Sequence, residues 1–443
     1  MENQQNASGS RVGNWLRTSL LVKLLAIGFI ALLLLIPAAL IQSVIGERQN
    51  RKAAVVQEIS ASWGGEQTVS GPILSIPYEE TVETEQGEQK SVVHKLYFLP
   101  QELHIRGDAQ HEVRRRGLFD AILYTSKLTL EGKFEALALE ALNVPADKIR
   151  WQEARLCIGI SSMTGIKNDI ELEWNGQEKR MEPGAANPEL LASGISVGVP
   201  VSEGEAGYTF SIPLELNGAD ALYFEPVGRV TTATLSASWP SPSFSGNLLP
   251  TRHRLGADGF EADWRVLDFN RNYPQQWKGM AYNFSNNSYF GVRLIRPVDE
   301  YLKSSRASKY AILVIGLTFL IYFFFETLRR FNIHPFQYLL VGLALVVFYL
   351  LLLSLSEQIG FNAAYGLASV ATIGLISFYS ASVLRIRRLV VQLTSLLAII
   401  YGFIFVVLQL EDYALLAGSI GIFIALASVM YYSRKVDWDN LQA

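Results

Sequence analysis

Apolar positions divide this chain into two kinds of segment. Residues 20–41 and 310–432 are almost wholly apolar, whereas 46–309 mix polar and apolar positions in the manner of a water-exposed domain. The first run, Leu20 to Ile41, has 22 residues. At about 1.5 Å rise per residue it is long enough to cross roughly 30 Å of hydrocarbon. The second block resolves into five runs near 20 residues each, 310–328, 337–356, 362–384, 389–409 and 413–432. A soluble protein could bury one such run but not all of them, so the pattern predicts six membrane helices. Pro37 in the first run is compatible with a membrane helix. That run is long for a cleaved signal, and Gly46-Glu47-Arg48 leads from it into a polar helical stretch, so it reads as an uncleaved anchor.

Val56, Ile59 and Trp63 recur at i, i+3 and i+7, which predicts a stalk helix over 47–63 that extends the first span and docks on the domain beyond it. Gly64-Gly65 ends it. From there the period is two. Gly71–Tyr78 and Ser91–Phe98 read as a hairpin across the charged turn at Glu85–Glu88. Alternating runs continue at Glu102–Ile105, Phe119–Leu130, Ile170–Trp174, Tyr208–Leu214, Thr231–Trp239, Phe260–Val266 and Ser288–Leu294. Helix is expected only at 133–143 and 186–192. Many short strands predict a large, mainly-β, sandwich-like domain inserted between the first and second spans, as one sandwich or two.

Charge adds an orientation. Arg11, Arg17 and Lys23 head the first run, Arg329 and Arg330 follow the second, Arg385, Arg387 and Arg388 separate the fourth and fifth, and Arg434 and Lys435 follow the sixth. These ten residues fall on one side, while the opposite short loops hold Glu357, Glu411 and Asp412. The positive-inside rule then places 1–19 and 433–443 in the cytoplasm and 42–309 outside it. Net charge is −3, and nothing calls for nucleic acid as a partner. The single cysteine, Cys157, excludes an intramolecular disulfide or a CxxC site and reads as a small buried hydrophobe.

Chemistry within the spans is sparse. Apart from Glu326, near the cytoplasmic end of the second span, no Asp, Glu, Lys, Arg or His lies deep in a span, and Gln392 is the main polar exception, which disfavours ion-coupled transport. Ala417, Gly421 and Ala425 form a small-residue stripe suited to helix packing, within the bundle or between two copies. In the inserted domain, Gly194-Ile195-Ser196-Val197-Gly198 matches the G-x-S-x-G nucleophile elbow, but Val199-Pro200 comes next, where a helix should start. His94, His104 and His111 lack the close spacing of zinc ligands and read as strand and loop histidines, and His253 as solvated. No cofactor is expected. Arg114, Arg115 and Arg116 form a positive cluster ahead of a strand, read either as a contact for anionic lipid or an acidic partner patch, or as a solvated turn. Trp63, Trp264 and Trp277 read as core or sheet-face residues.

Several stretches resemble one family. Glu47-Arg48-Gln49, Trp63-Gly64, Gln67, Gly71-Pro72-Ile73-Leu74, Arg114-x-Arg116-Gly117-Leu118-Phe119 and Gly259-Phe260-x-Ala262-x-Trp264 are similar to segments of the CreD family of bacterial inner-membrane proteins. So is His334-Pro335-Phe336-Gln337-Tyr338-Leu339-Leu340-Val341-Gly342-Leu343-Ala344, with Phe348–Glu357 beyond it. The resemblance covers nearly the whole chain in order. It implies a role in cell-envelope integrity and the envelope stress response, and it supplies no catalytic residues or ligand. The function expected is therefore non-enzymatic: an outer domain that binds an envelope protein, glycan or lipid, joined to a bundle in the bilayer. A transporter or lipid-handling accessory using the bundle is the alternative.

Overall fold

The computed structural model describes residues 20–83, 89–185, 190–279, 282, 288–294, 300–329, 332–410 and 413–434. The chain divides into two compact units, one of 53–297 and one combining 1–52 with 298–443.

The first unit is built on two sheets. Its strands are β1 (Gln67–Glu83), β2 (Gln89–Phe98), β3 (Glu102–Arg116), β4 (Phe119–Glu135), β5 (Arg155–Ile160), β6 (Glu171–Trp174), β7 (Gln177–Arg180), β8 (Glu182–Pro183) and β9 (Gly194–Gly198). They continue with β10 (Gly207–Ala219), β11 (Ala221–Glu225), β12 (Val230–Ala237), β13 (Pro242–Gly246), β14 (Arg252–Gly256), β15 (Gly259–Leu267), β16 (Gln276–Lys278) and β17 (Phe290–Leu294). One sheet of nine strands runs β13-β17-β11-β1-β5-β9-β8, with β2 on β1 and β16 on β2. The other, of eight, runs β14-β15-β12-β3-β4-β10-β6-β7.

Period-two burial explains how the sheets close. Tyr208, Phe210, Ile212, Leu214 and Leu216 of β10 are buried at alternate positions, as are Phe260, Ala262, Trp264 and Val266 of β15. They meet Val69, Ile73, Leu96 and Ile158 of the nine-stranded sheet in one hydrophobic cluster, so the domain is a single sandwich. The first helix, α1 (Leu20–Ser62), ends against the other face of the eight-stranded sheet. There Val56, Ile59 and Trp63 cover Ala121, Leu123 and Ala219, each 0% exposed.

Two expectations change. The helix expected at 133–143 is instead the end of β4 followed by a single 3₁₀ turn, Leu139–Leu142. Lys133 and Phe134 pair with Thr209 and Tyr208, and Phe134 turns inward onto Trp174 and Phe210. The apolar spacing that suggested a helix belongs to a strand end and a turn. Of the helix expected at 186–192, residues 186–189 lie outside the described residues, and Leu190 and Leu191 are in turn and coil.

The second unit is helical. After α2 (Glu300–Lys309) come α3 (Ala311–Arg329), α4 (Pro335–Ile359), α5 (Phe361–Leu384), α6 (Arg387–Gln409) and α7 (Ala414–Ser433). With α1, six helices among the described residues are long and apolar enough to cross a membrane, one before the sandwich and five after it. α4 and α5 are separated only by Gly360, whose φ of 78° is a conformation that favours glycine. Glu357 therefore sits in the last helical turns of α4, not in a loop. α1 touches the bundle at few points. Leu34, fully buried, presses against Gly342, where any Cβ would collide with its side chain.

Candidate functional site

The chain passes between its two units twice, through α1 and through the segment joining β17 to α2. In both units the two passages are bonded to each other. Near the sandwich, α1 ends through Gly64 and Gly65, and the Gly65 amide returns to the Ser60 carbonyl at 2.7 Å. A Cβ on Gly64 would strike the Asn217 carbonyl, so only glycine allows this approach. The next residue, Glu66, accepts from Arg293 of β17 at 2.9 Å. Arg293 also donates to the Tyr223 hydroxyl through Nε and Nη2, each at 3.3 Å. Asp220, at the turn from β10 to β11, joins the same seam. Its carbonyl accepts from the Leu294 amide at 2.7 Å, and its carboxylate faces the Ser60 hydroxyl of α1 at 3.4 Å.

In the helical unit a second group of polar side chains joins the passages. Gln42 of α1 donates to Ser305 of α2 at 3.1 Å and accepts from Ser308. Lys52 lies 5.5 Å from the Tyr301 ring centre. The Tyr301 hydroxyl donates to Glu357 of α4 at 3.0 Å, and Arg48 of α1 approaches the same carboxylate at 4.0 Å. On α2, Tyr301, Ser304, Ala307 and Ser308 are buried, an i, i+3, i+6, i+7 face laid on the bundle. At the opposite end of the bundle Glu326, only 5% exposed, accepts from Lys23 at 2.9 Å, the Tyr338 hydroxyl at 3.0 Å and the Ile333 amide at 3.2 Å. Lys23 also donates to Asn332. A charge in the membrane-spanning region is thereby paired and hydrogen-bonded within the chain.

The sequence candidates lie elsewhere. Arg114, Arg115 and Arg116 do precede a strand, β4, but they are not in the turn: they form the last three residues of β3, before Gly117-Leu118. Arg116 bonds Glu58 of α1 at 2.7 Å, Arg115 lies 3.7 Å from Asp120, and Arg114 bonds Glu112 at 3.0 Å while its guanidinium covers the Trp63 ring at 3.8 Å. Arg116, and Arg114 through Trp63, thus clasp the end of α1, whereas Arg115 faces Asp120 of β4. Ser196 lies within β9 opposite Cys157, donates to the Gly184 carbonyl at 2.8 Å and accepts from Arg155 at 3.1 Å. No strained turn holds it, so the elbow geometry is missing. His104 and His111 lie seven residues apart on β3, on opposite faces, bonded to Thr232 and Ser238, while His94 belongs to the other sheet. Among the described residues no group of His, Cys, Asp and Glu could hold a metal ion. On α7, Ala417, Gly421 and Ala425 are half-buried, and Gly421 abuts the Phe403 ring of α6.

Inside the sandwich, the Glu225 carboxyl at the end of β11 has one oxygen, Oε2, buried with no hydrogen-bond partner. Burial pushes this group up to about 7, opposed by a hydrogen bond from Ser70.

A family model described as "Inner membrane protein CreD" matches residues 19–439. The chain is 36% identical over 431 residues to the Inner membrane protein CreD of Escherichia coli strain K12, covering 96% of this chain and 94% of that protein. Among solved structures, an M1 zinc metallopeptidase from Deinococcus radiodurans bound to a Tyr-Ser-Ala substrate aligns at 14% identity and a TM-score of 0.19. That alignment covers 38% of this chain and 39% of the peptidase. A two-domain M1 zinc metallopeptidase bound to L-arginine gives the same TM-score, identity and coverages. Scores this low carry no argument about fold or activity.

Proposed function

Since this chain belongs to the CreD family of inner membrane proteins, we propose that it is a non-enzymatic envelope protein that couples a ligand-binding sandwich to a membrane bundle. The observation that carries this reading is the double bonding of the two passages: Glu66–Arg293 in one unit, and Gln42, Arg48, Tyr301 and Glu357 in the other. A strain placed on the end of either passage is shared with its neighbour through these bonds. In this reading 42–309 lie in the periplasm and both termini in the cytoplasm, an orientation supported by the ten basic residues on one side of the spans. The sandwich would take an envelope protein, glycan or lipid. The transport alternative has less support, because Glu326 already has Lys23 as its counter-ion.

The test is a Glu357→Ala variant at wild-type abundance. It removes the acceptor shared by Tyr301 and Arg48 but touches nothing in the sandwich. Cells carrying it are expected to show the envelope sensitivity of cells lacking the protein. Full wild-type resistance in that variant would refute the coupling reading.

A further inference from the structure

Helix α2 lies across the end of the helical unit where α1 reaches Gln42, and it touches four helices. Tyr301 bonds Glu357 of α4, Ser305 and Ser308 bond Gln42 of α1, and Lys303 donates to Gln409 of α6 at 2.9 Å. Lys303 also stands 5.7 Å from the Phe361 ring centre of α5. Another stripe is left over: Leu302, Arg306 and Lys309, at i, i+4 and i+7. Leu302 and Lys309 are exposed and Arg306 is half-buried. Among the described residues neither Arg306 nor Lys309 makes an ion pair or a hydrogen bond. The helical path continues through Tyr310, whose amide bonds the Ala307 carbonyl and whose carbonyl accepts from the Val314 amide at 3.1 Å. The stripe therefore runs on into α3, at the exposed positions Ile312 and Gly316. A Cβ on Gly316 would meet nothing within 4 Å, so the apolar surface has a notch there.

We propose that this stripe is a seat for an anionic phospholipid of the surrounding bilayer, with its phosphate held by Arg306 and Lys309 and an acyl chain laid along Ile312 and Gly316. Charge and position together select this occupant. α2 holds three basic residues against the single acid Glu300, and Lys303 is already engaged by Gln409. Basic side chains beside a membrane span attract anionic head groups. Neighbours at i and i+3 on a helix stand about 5–6 Å apart at Cβ, so both cations reach one phosphate. An acidic peptide would answer the two charges alone. The exposed side of α3 faces hydrocarbon, so the occupant that fits the whole stripe joins an anionic head to an apolar tail. The seat lies wholly in the helical unit and stands or falls apart from the coupling reading.

Native mass spectrometry of the full chain in detergent micelles tests it, with phosphatidylglycerol, phosphatidylcholine and inorganic phosphate as probes. The wild type is expected to hold phosphatidylglycerol at least about tenfold more tightly than phosphatidylcholine. Each basic side chain near an anionic surface counts for about fivefold, so the double variant Arg306→Gln, Lys309→Gln should lose about 30-fold for phosphatidylglycerol and nothing for phosphatidylcholine. Arg252→Gln with Arg254→Gln, both exposed on β14, should bind as the wild type does. Gly316→Leu, which keeps both charges and fills the notch, should weaken phosphatidylglycerol at least about threefold. Equal losses in the two arginine-bearing pairs, no loss in the first, or wild-type binding in Gly316→Leu overturns the proposal. Displacement of the lipid by equimolar inorganic phosphate also overturns it, because Arg306 and Lys309 would then be a site for a free anion.

Discussion

Replacing Glu225 by glutamine removes a buried ionisable group from the centre of the nine-stranded sheet. Ser70, its register partner on the parallel strand β1, bonds the carboxyl, while Oε2 has no donor and the nearby Tyr273 ring offers no charge. The folded carboxyl stands at about 7 against an ordinary 4.5. At 1.36 kcal/mol per pH unit this is worth about 3 kcal/mol. The contribution is fully present below about pH 4.5, declines as the unfolded chain ionises first, and is gone above about pH 7. Glutamine abolishes the decline, so the variant should gain on the wild type as pH rises, by up to about 3 kcal/mol. For a unit of this size that is a difference of roughly 6–12 °C in melting temperature. Six of the eight tryptophans lie within 53–297, so intrinsic fluorescence of the full chain in detergent reports on this unit. Asp220 shifts in the same direction, so the diagnostic quantity is the difference between variant and wild type across pH. A difference that is flat from about pH 5 to 8 would refute the assignment of a raised Glu225.

Three further outcomes are expected. Glu326→Ala removes the acceptor of the Tyr338 hydroxyl and the Ile333 amide, leaves Lys23 only Asn332 and no counter-ion, and should cost about 3–5 kcal/mol, read as a lowered melting temperature of the detergent-solubilised chain. At the clasp, a double-mutant cycle on Arg116 and Glu58 should give only about 0.2–1 kcal/mol, because both are exposed. Trp63→Ala, which also uncovers Ala121, Leu123 and Ala219, should cost more than either single change. Ser196→Ala should lower stability by about 1 kcal/mol through its lost hydrogen bond to Gly184 and leave envelope resistance unchanged.

The membrane helices were legible because each is a continuous apolar run, and the end of α1 because Val56, Ile59 and Trp63 repeat at helical spacing. The sandwich was legible as a class, since β10, β12 and β15 alternate. Strands β5 and β11 were not, because Leu156–Ile160 and Ala221–Phe224 are buried at every position and show no period. The extent of β3 was hidden by its polar end, where Arg114–Arg116 look like a turn until their partners on β4 and α1 are seen. The junction was invisible for a different reason. Glu66 and Arg293, or Gln42 and Ser305, lie more than 200 residues apart, and neither pair has a spacing or motif that would announce it. Glu357 stood out only as an acidic residue between two spans, although its carboxylate receives both Tyr301 and Arg48.

The central claim is that the sandwich and the bundle communicate through the paired passages. Its most direct test breaks the seam in one unit and reads the other. In Arg293→Ala, which removes the bond to Glu66, hydrogen exchange is measured along α2 and along α5 and α6 of the full chain in nanodiscs. The account predicts faster exchange in α2, where Tyr301, Ser305 and Ser308 meet α1 and α4, with α5 and α6 unchanged. Wild-type exchange in α2, with 56–66 visibly loosened, would contradict it.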